Sequence, residues 1–167
     1  MSSEKTKAGV RYLYLVQHGE AKAKEVDPER SLTEQGQSEV AQVADWAAQA
    51  GLQVEEIRHS GKRRAQQTAE ILARKLNLSH RVVAVPGLAP LDDVQPMAEA
   101  LEQETRSVML VGHLPFLSRL ASQLLAGDSE RTVIRFRMAG IVALSREQEG
   151  WAVAFMVTPN LLTGSVR

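Results

Sequence analysis

The chain has 167 residues, 44% of them hydrophobic and 24% charged, a soluble balance that suits one domain over residues 1–167 and excludes a disordered or fibrous chain. Twenty Lys and Arg cancel twenty Asp and Glu, and aromatics are only 4%, so neither charge nor stacking surface points to a nucleic-acid partner. The absence of cysteine excludes disulfides, zinc ribbons and thiol catalysis, and no apolar run reaches the roughly 18–20 residues of a membrane span, so a cytoplasmic protein is expected.

Residues 1–10 are polar, lack the apolar stretch of a signal peptide, and are expected to be a tail. Residues 11–17 (RYLYLVQ) read as a buried strand. Residues 31–50 read as a helix opened by a Ser31/Glu34 capping box and stopped by Gly51. A short strand at 54–59 precedes a helix at 61–76, rich in good helix formers. Next come a strand at 82–85 ended by Pro86-Gly87, a helix at 94–104, a strand at 107–111, and a helix at 115–125 with Pro115 in its first turn. Residues 132–136, 141–145 and 151–157 are β-runs separated by Gly-bearing turns, where hairpin pairing is expected. The order implies an α/β fold of three layers: a mostly parallel sheet, helices on both faces, and a C-terminal β-hairpin region.

Ligands of such sheets bind beyond the carboxyl ends of the strands. Three polar clusters fall there: Gln17-His18-Gly19-Glu20 after the first strand, residues 60–68 (SGKRRAQQT) after the second, and Gly112-His113 after the fourth. Two imidazoles and a guanidinium suit phosphoryl transfer through nitrogen. Neutral imidazole, with an ordinary pKa of about 6.5, is a competent nucleophile near pH 7. The transferred group spreads negative charge over its oxygens, which cations and N–H donors must neutralise. Arg64 in an early helical turn leans back toward the strand ends, and backbone N–H groups from Leu114 onward open the next helix.

Plainer readings stand beside these. A histidine ending a strand is most often a hydrogen-bonded structural residue, Lys62-Arg63-Arg64 can be a solvated helix face, and Ser60 suits an N-cap. The spacing of His18, Glu20 and His113 fits no compact metal motif, so neither metal nor cofactor is expected. His59 is expected to pack or to support the site, His80 to be exposed, and Trp46 and Trp151 to pack.

The strand with His-Gly-Glu, then Ser60-x-x-x-Arg64-Ala65-x-Gln67-Thr68-Ala69, then Val111-Gly112-His113, resembles the histidine phosphatase (phosphoglycerate-mutase-like) superfamily. The short length, Asp27-x-x-Arg30-x-Leu32-Thr33-x-x-Gly36 and Thr158-Pro159-Asn160-Leu161 resemble its compact SixA-type phosphohistidine phosphatases. The resemblance runs from about Tyr12 to Leu161. It implies a hydrolase in which His18 becomes a phosphohistidine that water then hydrolyses, without a metal. Gln17, Arg64, His113 and the backbone at Leu114 would hold the phosphoryl group. The implied substrate is a phosphorylated protein, such as a histidine-phosphotransfer domain. A small-molecule phosphomonoesterase and a catalytically weakened phosphate-binding module are the alternatives.

Two departures from the family pattern stand out. Its signature is Arg-His-Gly, whereas Gln17 precedes the histidine here. An uncharged amide in place of that fork lowers transition-state binding by about 1.5–3 kcal/mol, unless Arg30, Lys22 or Lys62 compensates. Larger members also carry a late Glu as general acid. The corresponding stretch here holds Asp92 and Asp93, of which Asp93 equally suits a helix N-cap. Glu20 either orients His18 or faces solvent.

Overall fold

The computed structural model describes residues 10–164, so residues 1–9 of the expected tail lie outside the described residues. Its first strand, β1 (Arg11–Gln17), carries four consecutive buried residues, Leu13 to Val16, as a strand covered on both faces requires. Its two sets of side chains seed two cores. Tyr14 and Val16 pack with Val40 and Val43 of α1 (Glu34–Ala50) and Leu72 of α2 (Arg63–Lys75). Leu13 and Leu15 pack with Leu101 of α3 (Gln95–Gln103) and Leu117 and Leu120 of α4 (Phe116–Ala126).

The remaining elements are β2 (Glu56–His59), β3 (Val82–Ala84), β4 (Val108–Gly112), β5 (Ile141–Glu147), β6 (Gly150–Val157) and a short α5 (Pro159–Thr163). All six strands share one sheet in the order β3-β2-β4-β1-β5-β6. The first four strands are parallel, β5 runs antiparallel to β1, and β5 and β6 form the expected hairpin. The three-layer α/β/α arrangement expected from the sequence is therefore the one observed. No helix of the described residues is long and apolar enough to cross a membrane.

The register positions the site. Gln17 of β1 lies beside Gly112 of β4, and Val111 lies beside His59 of β2. Three adjacent strands thus end level, and the next residues, His18, His113 and Ser60, emerge together. β1 and β4 also flank the point where the strand order reverses, the crevice in which ligands of such sheets bind.

Four local expectations are corrected. Helix α1 starts at Glu34, and its cap is Thr33, whose hydroxyl accepts the Gly36 N–H at 2.9 Å. Ser31 is unavailable as a cap because its backbone N–H and hydroxyl both bind the Asp27 carboxylate. Ser60 does not cap α2 either; Lys62 occupies the cap position with no side-chain bond. Residues 132–136 form no strand, although Ile134 and Phe136 alternate inward as in one. The run packs Ile134 and Phe136 into the core that α3 and α4 cover, and the chain meets the sheet only afterwards, at the single bridge of Met138 to Gln17. Finally, α5 follows β6, where no helix was expected.

Candidate active site

His18 and His113 face one another across the β1/β4 boundary, with ring centroids 5.1 Å apart and planes tilted by 53°. The His18 N–H of the backbone donates to the Gly112 carbonyl, tying the two strand ends together. His18 Nδ1 lies 2.7 Å from the Gly19 carbonyl oxygen. A carbonyl only accepts, so Nδ1 carries the proton and Nε2 presents its lone pair. Burial pushes the His18 pKa below its ordinary value; the Gly19 bond partly opposes this, while Arg64 and Arg30 reinforce it. The ring is neutral near pH 7, the state a nitrogen nucleophile needs.

His113 is only 2% exposed. Its pKa falls to about 3, chiefly through burial, then through His18, Arg64, Lys62 and Arg30. Its Nε2 lies 2.7 Å from the Ser60 hydroxyl, which also accepts the Lys62 N–H at 3.3 Å. The bond to Ser60 engages Nε2 and leaves Nδ1 without a partner. Among the described residues only four buried side-chain atoms lack a hydrogen-bond partner. Three belong to this cluster: Gln17 Oε1, Arg64 Nε and His113 Nδ1. Buried polar atoms are nearly always satisfied, so a cluster of orphans is a place shaped for a polar ligand.

Arg64 stands in the first turn of α2, where the usual helix-stabilising carboxylates are missing. The rest of that helix clamps the loop after β1. The Thr68 hydroxyl accepts the Gly19 N–H at 3.0 Å and donates to the Arg64 carbonyl at 2.8 Å. Gln67 Oε1 accepts the Leu32 N–H at 2.7 Å. Ala65 is small and fully buried, which lets the helix lie close to the sheet. Every named position of the Ser60–Thr68 stretch therefore either touches the cluster or positions a segment that does.

The other sequence candidates separate. Arg30 has a left-handed backbone (φ 52°), and its Nε donates to the Lys22 carbonyl at 3.1 Å. Its charge is felt at His18, Arg64 and His113, and that of Lys62 at His113. Lys22 acts instead on Asp27. Glu20 accepts the Thr33 hydroxyl at 2.6 Å, so its carboxylate braces the helix cap. Asp92 accepts the Ala89 N–H and Asp93 the Gln95 N–H, the latter bond at the start of α3, so both are engaged in local turns. Leu114 lies between His113 and the cap residue of α4, whose first-turn N–H groups have no intrahelical acceptor. His59 Nδ1 accepts the Gly61 N–H at 3.1 Å, a supporting role as expected, and His80 is exposed. The role of Ser60 on His113 is the one that sequence reasoning missed. Its only signal in the sequence was its place one residue past a strand end. Among the described residues no three His, Cys, Asp or Glu side chains gather as a metal ion would require.

A model of the histidine phosphatase superfamily (branch 1) matches residues 13–92, which hold the His18 and Arg64 clusters. Phosphohistidine phosphatase SixA of Escherichia coli (strain K12) is 28% identical over 143 residues, covering 83% of this chain and 87% of that one. An uncharacterised protein of Picosynechococcus sp. is 33% identical over 139 residues, covering 79% of this chain and 83% of its own. The chain belongs to the histidine phosphatase superfamily. The structure of the protein histidine phosphatase SixA complexed with tungstate superposes with a TM-score of 0.80 at 25% identity, over 90% of this chain and 99% of that one. The likeness thus spans the sheet, both helical layers and the level strand ends. It makes this chain a hydrolase of that superfamily.

Proposed function

We propose that this chain hydrolyses phosphohistidine on proteins through a covalent phosphohistidine intermediate on His18. The observation that carries the reading is the pairing of His18, whose proton is held on Nδ1 by Gly19, with three orphaned polar atoms beside it. The relatives add support: SixA is named a phosphohistidine phosphatase, and its structure holds tungstate, a tetrahedral oxyanion like phosphate.

In this mechanism the lone pair of His18 Nε2 attacks phosphorus while the bond from phosphorus to the substrate imidazole breaks. Those electrons return to the leaving nitrogen, which takes a proton from water. Arg64, His113 and the backbone at Leu114 neutralise the phosphoryl oxygens, which gather most charge in the transition state. Water then attacks the phosphohistidine, the nitrogen–phosphorus bond breaks, and inorganic phosphate leaves with His18 restored. The three carboxylates that the sequence offers as general acids, Glu20, Asp92 and Asp93, are each held elsewhere. An imidazole leaving group tolerates that, whereas an alkoxide leaving from a phosphate ester demands a proton, which favours phosphohistidine over phosphomonoesters. In this reading the protein works in the cytoplasm, with which a cysteine-free chain agrees.

The test is to mix the protein with a histidine-phosphorylated protein carrying radioactive phosphate. Wild type should release inorganic phosphate and, when quenched early, hold an acid-labile, alkali-stable label; His18→Ala should do neither. Failure to label and to turn over both that substrate and an aryl phosphate overturns the reading in favour of a binding module.

A further inference from the structure

A cleft of about 500 Å³ opens beside the catalytic cluster, between the loop after β1 and the start of α2. Lys24, Arg30, Lys62, Arg63 and Arg64 line it, with Glu29 as the one carboxylate among its lining side chains. Arg30 and Arg64 thus belong both to the cleft and to the surroundings of His18. None of the five cations makes an ion pair among the described residues, although Arg58, Lys75, Arg106, Arg119 and Arg146 all do. This concentration arises in a chain whose charges cancel as a whole. Lys62, Arg63 and Arg64 also crowd the end of α2 whose dipole disfavours cations, so helix stability is not what placed them there.

A single phosphoryl group needs Arg64 and its immediate neighbours; it does not need Lys24 or Arg63 as well. Resting on the phosphohistidine reading, the geometry points to this cleft as a docking groove for an acidic protein segment, so that the preferred substrate is a phosphohistidine flanked by Asp or Glu. Carboxylates on that segment meet the unpaired cations while the phosphoryl group reaches His18, with the substrate imidazole on its far side. Other strand-end loops expose Leu91 (82%), Leu114 (39%) and Met138 (43%), apolar surface that a protein partner can cover and a small phosphate cannot. Charge of this kind acts mainly through encounter and orientation, so its contribution weakens with added salt.

The test measures binding, so that it stands whether or not turnover is found. Two peptides carry a non-hydrolysable phosphohistidine analogue, phosphoryl-triazolylalanine, flanked either by four Glu or by four Gln. Wild type should bind the Glu peptide about three- to tenfold more tightly at low salt, and Lys24→Gln/Arg63→Gln should erase that difference. The same double variant should hydrolyse phosphoramidate at the wild-type rate, since neither residue belongs to the phosphoryl-binding set. Equal affinity of wild type for the two peptides, or no binding of either, overturns the docking groove. A loss in the variant that appears for inorganic pyrophosphate and not for the Glu peptide would assign the cleft to a second phosphate and overturn the proposal too. Failure of the phosphatase reading shows differently, as absent phosphoramidate turnover with the peptide preference intact.

Discussion

Gln17 leaves a buried amide oxygen unpaired at the mouth of the site, where the superfamily signature has arginine. Gln17→Arg would put a guanidinium there and strengthen transition-state binding by about 1.5–3 kcal/mol, a ten- to hundredfold faster turnover of phosphoramidate. A fall in rate would mean that Arg30 and Arg64 already crowd the position with charge. The principal candidate residues were legible at this scale. His18, Arg64 and His113 stand out because few residue types can do nitrogen-to-phosphorus chemistry, and each follows a strand. Ser60 was not legible in its role, because its bond to His113 joins residues 53 apart in the chain and exists only through the β2–β4 register. The bond of Glu20 to Thr33, 13 residues on, was hidden for the same reason, whereas Asp92 and Asp93 bind N–H groups only three and two residues away, local bonds of the kind that the cap reading of Asp93 anticipates.

Helix α1 and the loop before it meet at Gly36. A Cβ there would sit 2.2 Å from the Glu20 carbonyl oxygen, a backbone atom that no side-chain rotation can move. Alanine would favour the helix by about 1 kcal/mol through propensity, but overpacking against immovable backbone costs about 2–3 kcal/mol, the upper part of the usual range. Gly36→Ala should therefore lower stability by about 1–2 kcal/mol net in urea denaturation. It should also lower turnover, because the displaced segment runs back to His18. Unchanged stability would show that the loop is free to lift away from α1. Apart from α5, the helices and strands were foreseeable from apolar periodicity, with ends displaced by up to three residues. Which hydroxyl caps α1 was not, since Ser31 and Thr33 are equivalent until Asp27 claims the former. Residues 132–136 have the alternation of a strand yet join no ladder, and pairing is decided by where distant packing sets the segment rather than by the segment itself.

Across the whole molecule, acid acts on two kinds of group. His18, His59 and His113 all have pKa values lowered mainly by burial, that of His113 to about 3. A histidine held neutral in the fold adds stability fully present above its ordinary value near 6.5 and lost as pH falls toward the folded-state value. Glu104 joins Glu56, Arg58 and Arg106 in an ion-pair network on β2 and the turn after α3, with distances from 2.6 to 3.3 Å. Its bond to Arg106 is the largest of the causes that hold its pKa down to about 2, so its share is lost only between about pH 4.5 and pH 2. His113→Gln should accordingly flatten the stability profile between pH 6.5 and 4.5 by up to about 1 kcal/mol per pH unit, read from urea midpoints at each pH. His18 and His59 supply the slope that remains, and the Glu104 transition below pH 4.5 is unaffected. An identical slope in wild type and variant would mean that His113 titrates normally in the folded protein. The loss of turnover on protonating His18 should likewise fall at a pH below the ordinary 6.5, because burial lowers its pKa.

By itself the sequence determined which chemistry was possible and which layers would form. Residue type limits what a side chain can do, and apolar spacing limits which face it can bury; both are local properties of the chain. Only the tertiary structure decided that three strand ends finish level, that Ser60 reaches His113, and that five cations share one cleft. Those outcomes depend on strand order and register, which are set by the packing of distant segments against one another and leave no trace in any single stretch of residues.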